Sequence, residues 1–106
     1  MTLIEVAKVI GDDLTQIDTT LQTPGLSDAD WQTLYALRKH LDDIQRDLIQ
    51  ESINEADQKY QALTTQLQQA SNQLATVITN LSKVSDIIAT VAQVAAKADE
   101  ILNLAG

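Results

Sequence analysis

The chain has 106 residues and a formal charge of −8, and 44% of it is hydrophobic, drawn almost wholly from Leu, Ile, Val and Ala. Three Gly and one Pro leave too little turn chemistry for an all-β domain, and without Cys there is no disulfide, thiolate metal site or thiol nucleophile. The acidic balance opposes binding to nucleic acid or anionic lipid.

Met1-Thr2-Leu3-Ile4-Glu5 has no basic segment ahead of an apolar core, so no Sec signal peptide is expected. The longest charge-free run, Tyr60 to Ser82, covers 23 residues, but 13 of them are Gln, Asn, Ser or Thr. That run is not a membrane span. The expectation is a cytoplasmic protein, with export by a route other than Sec left open.

Leu3, Ala7, Ile10, Leu14, Ile17 and Leu21 recur at the spacing of one helical face. Thr2 with Glu5 reads as a capping box, which starts a helix over about 3–22. Thr23-Pro24-Gly25 ends it, and Ser27 offers the next N-cap, with Asp28 and Asp30 in the first turn.

From Ser27 to Ala105 there is neither Gly nor Pro. Leu34, Leu37, Leu41, Ile44 and Leu48 make one apolar stripe. A second begins at Ile49, runs through Ile53, Ala56, Tyr60, Leu63, Leu67, Ala70, Leu74, Val77, Leu81, Val84, Ile88, Val91, Ala95 and Ala98, and ends at Leu102. Its strict 3/4 spacing predicts helices packed side by side. The phase jumps by one residue between Leu48 and Ile49. Lys8–Asp12, Asp42–Arg46 and Glu55–Lys59 are spaced for i,i+4 ion pairs.

The fold class is all-α: one domain over 1–106, an antiparallel helical hairpin or elongated bundle with heptad-type packing. The favoured helices are about 3–22, 28–80 and 84–103, with a bend or turn near 49–54, where Ser52 and Glu55 could form a capping box. Unbroken from 28 to 103, the chain would be a rod of about 110 Å. A turn near 80–85 folds it back and leaves a thin object that a second copy would cover. The rival is a monomeric four-helix bundle with turns near 51 and 82. In-phase heptads through residue 82 count against a break there.

No catalytic, cofactor or metal site is expected. His40, Asp43 and Asp47 share one helical side, but a metal site needs more ligands and a supporting shell. The neighbours Asp12-Asp13 and Asp42-Asp43 diverge by about 100° on a helix and read as solvated faces. Trp31 and Tyr35 read as a plug at the end of the hairpin, or else as a partner anchor. Residues Val84–Ala98 present a broad apolar face with small positions at Ala89, Ala92 and Ala96.

The expected function is a non-enzymatic protein–protein interaction module, a homo-oligomer (a dimer for preference) or a small adaptor, chaperone or inhibitor of a larger protein. The expected interface is Leu63, Leu67, Leu74, Val77, Leu81, Val84, Ile88, Val91 and Ala95. The alternative is a membrane-active helical protein acting in the manner of a pore-forming toxin component. Residues 1–59 hold 12 acidic and 5 basic side chains, against 3 and 2 in residues 60–106, so the neutral half is where a partner would meet least repulsion.

Overall fold

Thr2 caps the first helix as its spacing predicts. Its hydroxyl accepts the Glu5 amide while the Glu5 carboxylate accepts the Thr2 amide. In the computed structural model, which describes residues 1–105, this helix is α1 (Leu3–Gln22). It is followed by α2 (Asp28–Gln50), α3 (Gln58–Val77) and α4 (Val84–Asn103), with a 3-10 turn at Leu81–Lys83 leading into α4. No strand occurs among the described residues.

The connection between α1 and α2 is the one read from the sequence. Gly25 adopts a φ of 121°, a conformation that L side chains rarely adopt, and a Cβ there would sit 3.4 Å from Leu81 Cδ1. Ser27 then accepts the Asp30 amide at the start of α2. We expect Gly25→Ala to lower stability by about 1 kcal/mol or more through that strained φ, as read from a urea unfolding curve.

The long helix expected over 28–80 does not form. It stops at Gln50 and restarts at Gln58. Glu51 is extended, Asn54 Oδ1 accepts the Ala56 amide, and Asp57, rather than Ser52, caps α3 through the Lys59 amide. Asn and Asp side chains perform the turn chemistry that Gly and Pro usually supply. Glu55 accepts the Leu3 amide at 2.6 Å, tying this loop to the start of α1. That contact replaces its expected pairing with Lys59. Of the other two expected pairs, Asp42–Arg46 forms at 3.3 Å, while Lys8 and Asp12 both face solvent.

The continuous stripe from Ile49 to Leu102 is also interrupted. Ile49 is 67% exposed and Ala56 faces solvent. Past the turn at Asn80–Lys83, α4 buries Val91, Ala95 and Ala98 of the expected stripe together with Ile87, Val94 and Ile101, while Val84, Ile88 and Leu102 sit at the edge. The inward face of α4 is therefore centred slightly off the expected stripe.

With four helices from one chain, the radius of gyration is 13.7 Å and the extents are 43 × 22 × 17 Å. That matches the roughly 13 Å of a compact domain this size. The three-helix arrangement that needed a second copy for coverage is replaced by the four-helix one. α1 packs on α2, α2 on α4 and α4 on α3, while α1 and α3 meet more sparsely.

Helices α1 and α3 run parallel. Tyr60 to Met1, Ser71 to Asp13 and Thr20 to Ile78 are hydrogen-bonded at sequence separations of 59, 58 and 58, a constant offset. The same offset, 59, relates His40 on α2 to Asp99 on α4. The molecule is therefore two helical hairpins stacked in the same direction.

Candidate functional site

The nine residues expected at an interface line the inside of this stack. Leu67, Leu74, Val91 and Ala95 are buried in the core, and Leu63, Val77, Leu81, Val84 and Ile88 are partly buried at its margin. Their heptad spacing thus reports, at least for the four buried ones, packing within the chain.

The exposed aromatic surface lies where α1 ends and α2 begins. Trp31 and Tyr35, one turn apart, stack with ring centroids 5.1 Å apart and planes 7° from parallel. Trp31 Nε1 donates to the Leu21 carbonyl at 2.9 Å, satisfying an acceptor that the end of α1 leaves open. One edge of Trp31 therefore plugs the hairpin, yet the pair stays 40% and 48% exposed. The plug reading is thus met in part, and the remaining exposed faces of the two rings point to solvent. Beside it, Arg38 forms a two-pronged pair with Asp18 (2.8 and 3.1 Å) and approaches Asp42 at 3.7 Å. The hydrogen bond to Asp18 raises the Arg38 pKa above its ordinary value.

His40, Asp43 and Asp47 do not converge. His40 Nε2 lies 2.8 Å from Asp99 on α4, and Asp43 is taken up by Arg46. Among the described residues no three His, Cys, Asp or Glu side chains gather as a metal site would require.

No known family, curated protein or solved structure matches this chain. What it can do is therefore argued from its own surfaces.

A second feature, overlooked when the aspartate neighbours are read as solvated, lies on the sparse α1/α3 seam. Asp13 is only 1% exposed. Its Oδ1 accepts from Ser71 Oγ at 2.7 Å, while its Oδ2 has no hydrogen-bond partner. Burial pushes the Asp13 carboxyl up to about 6; the Ser71 bond opposes the shift and the Asp12 charge adds to it. Gln16 Oε1, a turn further on, is buried without a partner as well. Toward the end of the seam, Gln16, Thr19, Thr20, Thr23, Ile78, Thr79 and Leu81 line a cleft of about 340 Å³.

A signal for this seam does exist in the sequence. Val6, Ile10, Asp13, Ile17 and Thr20 keep heptad spacing on α1, as do Tyr60, Thr64, Leu67, Ser71 and Leu74 on α3. Polar residues at heptad positions mark the helices that face each other across the seam. At the other end, Tyr60 is buried, which pushes its phenol up to about 12. Its hydroxyl donates to the Met1 carbonyl at 2.7 Å.

Proposed function

We propose that this protein is a non-enzymatic interaction module that docks a segment of a larger protein onto the α1–α2 face centred on Trp31 and Tyr35. The observation that supports this reading is the half-exposed aromatic stack, held rigid by the Trp31–Leu21 hydrogen bond. A pre-ordered aromatic pair loses little conformational freedom on binding, and Trp and Tyr are enriched among residues that dominate interface energies.

The charge around the stack selects the partner's chemistry. Residues 1–59 carry a net −7, with Asp28 and Asp30 in the same turn of α2 as Trp31. Arg38, one turn past Tyr35, is paired with Asp18 and Asp42, which leaves Lys39 as an exposed cation at that end of the face. The complementary segment carries Arg or Lys beside apolar side chains, gaining steering from the acidic face and cation–π contact with the rings. The membrane-active alternative needs the apolar face of α4 to leave the core, and no helix among the described residues is long and apolar enough to cross a membrane.

The test uses fluorophore-labelled helical peptides carrying Lys and Arg beside Leu, against versions with Glu at the basic positions, read by anisotropy. The basic peptides are expected to bind. Trp31→Ala, shown to be folded by circular dichroism, is expected to weaken them by about 30-fold, the cost of losing a hot-spot residue. Equal binding of basic and acidic peptides, or unchanged affinity in Trp31→Ala, overturns the reading. Binding to phosphatidylcholine vesicles in place of the peptides restores the membrane alternative, and a sedimentation mass of two chains restores self-association.

A further inference from the structure

We infer that Asp13, Gln16 and Ser71 form a proton-binding latch across the α1/α3 seam, closed when Asp13 is protonated and loosened when it is ionised. Two buried acceptors, Asp13 Oδ2 and Gln16 Oε1, lack a donor. They belong to residues at i and i+3 on α1, which are neighbours on a helix surface at about 5–6 Å between Cβ atoms. A proton on Asp13 removes the buried charge and turns Oδ2 into a donor available to the neighbouring Gln16 amide oxygen, while Oδ1 keeps its bond from Ser71. Without that proton a charge sits in the interior with Ser71 as its observed hydrogen-bond donor. An unsatisfied buried acceptor is destabilising, and a charged one more so.

No neighbouring cation compensates the ionised form. Between Tyr60 and Lys83, α3 carries no charged side chain, and the Tyr60 hydroxyl is bonded to Met1. On α1, Asp12 and Lys8 face solvent, and Asp18 is held by Arg38. On α2, Arg38 and Arg46 are paired with Asp18, Asp42 and Asp43, His40 meets Asp99, and Lys39 and Asp47 are exposed. On α4, Lys97 turns to Glu100, and Asp86 is exposed.

The carboxylate is relieved where packing resists least, by parting α1 from α3 and admitting water. The 340 Å³ cleft shares Gln16 and Thr20 with this seam, so the same motion widens it. The latch is independent of the aromatic surface.

The experiment follows the Asp13 carboxyl by carbon NMR and amide hydrogen exchange helix by helix, on the whole protein at about pH 5 and 7.5. Asp13 is expected to titrate well above the ordinary aspartate range. Exchange protection in α1 and α3 beside Asp13 and Ser71 should fall about tenfold between the two pH values, after correction for intrinsic rates. Asp13→Asn, which has the same shape and stays neutral, should abolish that fall. Ser71→Ala should move the Asp13 midpoint further up, because it removes the bond that favours the carboxylate. Titration near 3.9, an equal fall in Asp13→Asn, or an equal fall in α2 and α4 overturns the latch.

Discussion

Replacing Leu67 and Leu74 together with Asp is expected to leave the chain unfolded rather than merely to change its mass. Both side chains are fully buried on α3, inside the bundle. Each substitution removes a large apolar side chain, which costs about 2–5 kcal/mol even when the replacement is Ala. Each also places a carboxylate in the core, where an unpaired charge costs several kcal/mol more. Two such changes exceed the roughly 5–15 kcal/mol that separates a folded domain from its unfolded chain. Circular dichroism should report loss of helix, and light scattering should report an expanded single chain. A folded double variant of unchanged radius would remove these leucines from the core and return them to an outer surface.

The expected outcome rests on a four-helix core closed within one chain, an arrangement the sequence only half discloses. The α1–α2 hairpin is legible because Thr2, Glu5, Pro24, Gly25 and Ser27 each perform the local chemistry their residue types announce. The break at 51–57 is signalled only by the one-residue phase jump after Leu48. Asn54 and Asp57 form that turn with their own side chains, so no Gly or Pro marks it. Ile53 and Ala56 continue the 3/4 spacing from Ile49 through a segment that is not helical, which is why the stripe looks longer than any helix. The parallel pairing of α1 with α3 rests on contacts some 58 residues apart. No local pattern encodes that distance. Of the candidate sites, the aromatic pair was visible from its composition and i,i+4 spacing. Asp13 is legible only through its heptad spacing with Ile10 and Ile17, a signal masked by the adjacent Asp12 and by an apolar stripe that counts Leu14 instead.

Asp13 also gives the overall stability an unusual dependence on pH. Its folded carboxyl titrates at about 6, above the roughly 3.9 of the unfolded chain, because burial disfavours its charge. The unfolded chain releases that proton more readily, so folding binds a proton over this interval. The stability Asp13 supplies is fully present below about pH 3.9 and is lost as pH rises through about 6. The shift of about two units corresponds to about 3 kcal/mol. Glu5 acts in the opposite sense. Its capping-box bonds to Thr2 lower its carboxyl below the ordinary glutamate range, so its contribution is lost as pH falls through that lowered range. On these two groups, stability is therefore expected to fall as pH rises from about 4.5 to about 7. Asp13→Asn should be more stable than the natural protein by about 3 kcal/mol at about pH 7.5, and by about half that at about pH 5. Urea unfolding of both proteins at the two pH values measures the gap directly. A gap that stays constant with pH would assign the gain to packing instead of charge, and no gain at neutral pH would mean that the buried carboxylate has found a partner.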